Sequence, residues 1–170
     1  NSLYIGNNPS CSTSTAEHNV SLGLTALDAI TTGDYNVAVG SGSLGSNTTG
    51  EANTSVGKDG LNQNRTGNYN SSFGKAALER NTTGNNNTAI GSNALQNQTS
   101  ASSNTAVGKD AGFATTTGIE NVFVGKDAGI ANTTGEYNSV VGVDSGQAIT
   151  TGDYNSGIGK GVLYSVTTSN

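Results

Sequence analysis

Apolar side chains recur along this chain at one fixed interval. Ile5, Leu22, Val39, Val56, Phe73, Ile90, Val107, Val124, Val141 and Ile158 stand seventeen residues apart. Each is followed by a glycine, at Gly6, Gly23, Gly40, Gly57, Gly74, Gly91, Gly108, Gly125, Gly142 and Gly159, and no insertion or deletion breaks the register. Such a period is the signature of a solenoid, in which each copy is one coil that buries its apolar face only against its neighbours. With the residue four before each glycine taken as slot 1, the coils begin at Ser2, Asn19, Asn36, Asn53, Asn70, Asn87, Asn104, Asn121, Asn138 and Asn155. The consensus is N-[VTS]-x-[VILF]-G-x-x-[AGS]-[LG]-x-x-x-T-T-G-x-[YN].

The residues around the apolar slot predict a short strand over slots 2 to 4, as in Val37, Ala38 and Val39. Slots 2 and 4, as in Val37 and Val39, Thr88 and Ile90, and Val122 and Val124, share one face because side chains alternate along a strand, and that face is expected to point inward. Slot 3 is then the outer face, small in most coils but occupied by Tyr4, Phe123 and Val140 in three of them. The slot 5 glycine is expected where a Cβ would clash with the next coil. A second apolar group, such as Ala26-Leu27, Ala77-Leu78, Ala94-Leu95 and Val162-Leu163, supplies the opposite wall. Thr-Thr-Gly, as at Thr31-Thr32-Gly33 and Thr133-Thr134-Gly135, closes the coil through a turn.

Helix is opposed by two glycines per coil and by the β-branched runs. A coil of seventeen residues also lacks room for the paired helices of helical repeats, which take more than about thirty. The fold expected is therefore all-β, a parallel β-solenoid of ten coils forming one repeat domain over residues 2–170. Both ends fall in mid-pattern, with Asn170 at slot 16, so the segment reads as an excerpt of a longer fibre chain. At a strand spacing of ~4.8 Å, ten coils make a rod ~48 Å long.

Asparagine opens nine successive coils, at Asn19, Asn36, Asn53, Asn70, Asn87, Asn104, Asn121, Asn138 and Asn155. A column of amides at strand spacing can hydrogen-bond along the axis, each donating to the next carbonyl oxygen, so an inward or corner asparagine ladder is expected.

Composition narrows the function classes. Hydrophobic residues make up only 32% of the chain, so the core must be narrow and shared between coils. Disordered tracts are equally polar, but they do not require an apolar residue at one slot of every repeat. Seven Lys plus Arg against twelve Asp plus Glu, a formal net charge of -5, argue against a nucleic-acid partner. No apolar run approaches the ~20 residues that span a bilayer, so membrane insertion is not expected. The one cysteine, Cys11, cannot form an internal disulfide, and Pro9 in the same irregular coil suits a terminal rung.

Candidate chemistry is sparse. The one histidine, His18, occupies slot 17, where other coils place Tyr35, Tyr69, Tyr137 and Tyr154, so it reads as a ring in a ring's place. Gly-Lys pairs such as Gly57-Lys58 and Gly108-Lys109 lack the following Ser or Thr of a phosphate loop. Asp110, Asp127 and Asp144 fill slot 7 of three successive coils, and such a column is either solvated beside Lys109 and Lys126 or bridged by calcium. Glu17, Asp34 and Glu51 align likewise at slot 16. The paired threonines raise ice binding, although adjacent residues of an extended strand face opposite ways. Sequons such as Asn47-Thr48-Thr49, Asn81-Thr82-Thr83 and Asn132-Thr133-Thr134 follow automatically from the repeat. No constellation of acid, base, nucleophile or metal ligands points to an enzyme.

Asn36-Val37-Ala38-Val39-Gly40, Asn87-Thr88-Ala89-Ile90-Gly91 and Asn104-Thr105-Ala106-Val107-Gly108 resemble the S-V-A-I-G coils of trimeric autotransporter adhesin heads. They are more similar still to the N-T-A-[VI]-G-x-x-A-L-x-x-N-T-T-G arrays of phage tail-fibre and related surface-fibre proteins. The resemblance implies left-handed β-rolls, three chains packed side by side as a homotrimer, and an extracellular place on a virion or cell surface. It also implies a rigid spacer that presents a receptor- or glycan-binding face for host attachment. Tyr4, Phe123 and Val140 would then lie between chains. The adhesin coils are shorter than seventeen residues, which leaves the cross-section open. The N-x-V-x-G pattern also resembles grass ice-binding proteins, which are monomeric rolls with a flat face. An ice-binding β-solenoid and an extracellular filament subunit are the alternatives.

Overall fold

A computed structural model describes residues 2–6 and 15–164; Pro9, Cys11 and Asn170 lie outside the described residues. The chain is a parallel β-solenoid. Its ten described strands are β1 (Leu3–Gly6), β2 (Val20–Gly23), β3 (Val37–Val39), β4 (Thr54–Val56), β5 (Ser71–Phe73), β6 (Thr88–Ile90), β7 (Thr105–Val107), β8 (Val122–Val124), β9 (Ser139–Val141) and β10 (Ser156–Ile158). They form one sheet in strict chain order, every pair parallel and every register step seventeen residues, as in Val37 beside Thr54 and Thr54 beside Ser71.

Only slots 2 to 4 are strand, extended to the slot 5 glycine in β1 and β2, yet hydrogen bonds between coils continue around the rest of the perimeter. At the strand, the Val37 N–H donates forward to the Asn53 carbonyl at 2.8 Å, while the Gly57 N–H donates back to Val39 at 2.8 Å. Further round, the N–H groups of Leu44, Ser46 and Thr48 donate forward to the carbonyls of Gly60, Asn62 and Arg65 at 3.0, 2.9 and 3.0 Å. Tyr69 then donates back to Glu51 at 3.0 Å. Backbone groups that would otherwise be buried without partners are satisfied one coil away, which is why turns can stack here as regularly as strands.

The chain turns sharply at fixed slots. Non-glycine residues at slots 7, 9 and 17 adopt left-handed backbone, for example Asp59, Leu61 and Tyr69 at φ 58°, 46° and 57°. The slot 5 glycines from Gly23 to Gly159 hold φ between 126° and 142°, a region closed to L-residues. A Cβ on Gly23 would also sit 2.7 Å from the carbonyl carbon of Gly40. Glycine is thus required twice over at this corner, by torsion and by the approach of the next coil.

Burial reverses the expected faces of the strand. Slot 3 is the buried position: Ala38, Ser55, Ser72, Ala89, Ala106, Phe123 and Val140 are inaccessible, whereas the slot 2 and slot 4 residues are half-buried or exposed. Phe123 and Val140 therefore belong to the core, and Tyr4 packs against it. The cause is parity. The slot 1 asparagine points inward, so strand alternation sends slot 3 inward with it and slots 2 and 4 outward.

Opposite slot 3 stand Leu27, Leu44, Leu61, Leu78 and Leu95 at slot 9, all fully buried. Leucine at φ near +50° carries strain of ~1–2 kcal/mol. Burying that side chain contributes ~1.5–3 kcal/mol, so the core contact wins. The two walls exchange volume along the rod. From Ser21 to Ala89, where slot 3 holds Ala or Ser, slot 9 is Leu; Phe123 and Val140 share their coils with Gly129 and Gly146, and the preceding coil, with Ala106 at slot 3, has Gly112. A Cβ on Gly112 would lie 2.7 Å from the Phe123 ring, one on Gly129 would enter that ring, and one on Gly146 would meet Val140 at 3.0 Å. At Gly157 the exchange runs back, and Leu163 fills the space 2.8 Å from where its Cβ would be.

This exchange predicts that Gly129→Leu destabilises the protein by overpacking, by ~1–3 kcal/mol or more, and that Phe123→Ala alone costs ~3–5 kcal/mol. The double variant, which reproduces the Ala89 and Leu95 arrangement, is expected to cost less than the sum of the two in urea denaturation; strict additivity would refute the compensation.

Candidate functional site

Two polar columns run inside the solenoid. In the slot 1 column every asparagine from Asn19 to Asn155 is buried. The Oδ1 of each accepts the backbone N–H of the next: Asn36 donates to Asn19 at 2.7 Å, Asn53 to Asn36 at 3.0 Å, and so on to Asn155 donating to Asn138 at 2.9 Å. In most steps the same oxygen also accepts the next Nδ2, as from Asn70 to Asn53 at 3.1 Å and Asn138 to Asn121 at 3.1 Å. The second Nδ2 proton goes to the slot 15 carbonyl of the same coil, as from Asn53 to Gly67 and Asn121 to Gly135, both 2.8 Å. An amide has two donors and one acceptor oxygen with two lone pairs, and this arrangement uses all of them.

The second column, at slot 12, is absent from the expectations above. Asn47, Asn64, Asn81 and Gln98 are buried, with Asn64 donating to Asn47 and Asn81 to Asn64 at 2.9 Å. Their Nδ2 groups reach the same slot 15 carbonyls that the first column uses: Gly50 accepts from Asn36 at 2.8 Å and from Asn47 at 2.9 Å. Gln98 joins the columns by accepting from Asn104 at 3.0 Å. Thr115 interrupts the second column and Ile149 ends it. Among the described residues the buried side-chain atoms left without a partner are Thr115 Oγ1 and Asn132 Oδ1, at those two defects. The signal for this column was the residue before each Thr-Thr-Gly. Asn47, Asn81 and Asn132, which also open sequons, are wholly buried in the folded chain.

The threonines divide by slot. At slot 13 the hydroxyls of Thr31, Thr48, Thr82, Thr116 and Thr133 donate to the next coil's backbone carbonyl, at 2.9 to 3.1 Å. At slot 14, Thr32, Thr49, Thr83, Thr117, Thr134 and Thr151 are exposed.

The carboxylate columns are engaged by neighbours. Lys58 Nζ meets Asp59 at 2.6 Å, and Lys109 and Lys126 pair with Asp110 and Asp127. Asn93 donates to Asp110 at 2.9 Å, and Gln147 to Asp144 at 3.1 Å. Burial opposes ionisation of Asp110, but the hydrogen bonds from Lys109 and Asn93 and the charges of Lys109 and Lys126 outweigh it and hold its carboxyl below the usual value. The bond to Asp127, with its charge, raises Lys126. At slot 16, Asp34 accepts the Glu17 N–H at 2.7 Å. Among the described residues no group of three or more His, Cys, Asp or Glu side chains gathers to hold a metal ion, and no helix is long and apolar enough to cross a membrane. His18 stacks on Tyr35, with ring centroids 4.9 Å apart.

What remains is the outward face of the sheet. Slot 4 lays one apolar column along it, beside a slot 2 column that alternates between valine, at Val20, Val37 and Val122, and hydroxyl residues, at Thr54, Ser71, Thr88, Thr105, Ser139 and Ser156; Val20, Leu22, Phe73, Ile90, Val122 and Ile158 are exposed, Phe73 and Ile90 by 41% and 42%. No protein-family model, curated protein or solved structure matches the chain.

Asn87→Ala in mid-column is expected to cost at least ~2 kcal/mol, because the Asn104 N–H and the Ala101 carbonyl lose buried partners. Asn155→Ala, at the partly open end, is expected to cost less; equal losses in thermal or urea unfolding would refute a continuous ladder. Asp110→Asn keeps a residue at home at slot 7, where Asn93 already adopts φ 59°. Because the folded carboxyl lies below its unfolded value, its contribution is present at neutral pH and lost as pH falls through the folded value. The stability gap between the parent and Asp110→Asn should therefore close on acidification, and a gap that widens would overturn the assignment.

Proposed function

We propose that this chain is a non-enzymatic structural segment of a surface fibre or adhesin, carried outside the cell on a virion or cell surface, in which copies pack side by side through the outward strand face. The observation that carries this reading is the outward apolar column at slot 4, unbroken from Leu22 to Ile158. A coil of seventeen residues encloses a core one leucine wide, and the side chains that would thicken it point outward instead. Association of chains removes them from water at ~25 cal/mol per Å². A homotrimer is the arrangement that the adhesin resemblance supplies, and it leaves the Thr-Thr-Gly edge outermost to meet a receptor or glycan. Repetition favours a row of equivalent contacts over a single pocket.

Ice binding stands as a second reading because the exposed slot 14 threonines form a straight column at coil spacing. Against it, the slot 13 hydroxyls are already committed to the backbone, so the threonine array is one residue wide.

Light scattering on the purified segment tests the assignment. The expected mass is three times that of one chain, falling to one chain in the Val39→Lys, Val56→Lys double variant while the circular dichroism is unchanged. A single-chain mass for the parent at tens of micromolar would overturn side-by-side packing, and ice shaping by that monomer would establish the second reading.

A further inference from the structure

Tyr137 and Tyr154 hold slot 17 of successive coils, those that open at Asn121 and Asn138. Their rings stack, with centroids 4.9 Å apart and planes 5° from parallel. Both residues have left-handed backbone, at φ 55° and 57°, so their side chains leave the coil in a common direction and the stack follows from the repeat itself. Both rings are open to solvent, by 38% and 72%. Among the described residues this is the one stacked pair of tyrosines: Tyr35 lies on His18, Tyr69 stands in its column between Ala52 and Asn86, and Tyr4 packs against the core.

The same coil step is the one the amide columns hold least well. Along slot 12 each oxygen should accept from the next coil, as Asn47 accepts from Asn64 at 2.9 Å. Asn132 meets Ile149 there instead. Its Oδ1 is left buried without a partner, which weakens this step relative to the earlier ones.

Two phenols in contact can supply a rung of another kind. Removal of a hydrogen atom from each hydroxyl gives two tyrosyl radicals, whose unpaired electrons spread onto the ring carbons beside the oxygen. Coupling of one Cε atom from each ring forms a carbon–carbon bond as the exposed rings tilt edge to edge. The hydrogens on those two carbons then pass to the phenol oxygens, which restores both aromatic rings. Hydrogen peroxide, acting through a haem peroxidase, takes up the two hydrogen atoms removed at the start and leaves as two molecules of water. Two tyrosines and one peroxide thus give one dityrosine and two waters. A radical whose partner is already in contact couples with it ahead of a ring on another chain.

We propose that Tyr137 and Tyr154 form a site of oxidative cross-linking, a dityrosine bond that staples two coils together across the broken slot 12 step. Both residues lie on one chain, so the site does not depend on side-by-side packing, and a single-chain mass in light scattering leaves it standing.

Treatment of the dilute purified segment with a haem peroxidase and hydrogen peroxide tests the site. The expected product shows dityrosine fluorescence, an intact mass lower by two hydrogen atoms, and the mobility of a single chain on a denaturing gel. Cleavage before Asp144 and Asp153 separates Tyr137 from Tyr154 in the parent and leaves their peptides joined in the product. Tyr137→Phe and Tyr154→Phe, which keep the stack, should each abolish this bond, whereas Tyr35→Phe and Tyr69→Phe should leave it. His18→Tyr should add a second bond, to Tyr35. The stapled chain should melt ~5 °C or more above the parent, because the bond closes a loop in the unfolded chain. Absence of the joined peptides, cross-links that form only between chains, or a joined product that melts no higher than the parent would overturn the proposal.

Discussion

The structure depends on one constraint: every buried polar group must find its partner in the same coil or in a neighbouring one. An asparagine amide meets that demand because its donors and acceptor point in opposed directions, so identical residues in successive coils satisfy one another. The slot 15 carbonyl ties the two columns together, accepting from slot 1 on one side and slot 12 on the other, as at Gly50. Few apolar residues are then needed, since the interior is organised by hydrogen bonds that also fix the step between coils. The cost of an interruption is visible at Thr115 and Asn132, where the second column breaks and polar atoms are left without partners.

The apolar core works under the same geometric limit but solves it by volume. A coil has room for one large side chain across its width, supplied from slot 9 in the early coils and from slot 3 at Phe123 and Val140. Leucine at slot 9 tolerates left-handed backbone because its burial outweighs the strain. Glycine at Gly112, Gly129 and Gly146 releases that strain and yields the space to the opposite wall.

The period, the strand position, the parallel stacking and the glycine corner were all legible in the sequence, because a strict repeat exposes what every coil needs. The facing of the strand was not, although the information was present. The apolar residue at slot 4 of every coil suggested an interior, while an inward asparagine at slot 1 demanded the opposite parity, and the amide column decides because buried amides cannot be traded for exposed ones. The reciprocal change at slots 3 and 9 around Phe123 was also in the sequence, and it identifies slot 3 as the core slot. The second column was obscured because Asn47, Asn81 and Asn132 also spell sequons.

Near-identical coils bring a hazard that ordinary domains escape: a chain can pair correctly with the wrong copy of itself. Amide columns alone would accept a coil looped out and skipped, since each asparagine looks like the next. Phe123 would not. It occupies space left by Gly112 in the preceding coil, and skipping that coil would set its ring against Leu95, which has a full side chain where glycine stood. Phe123, the one fully buried ring among the described residues, thus acts as a key cut for a single position, giving an otherwise uniform ladder a place from which its rungs can be counted.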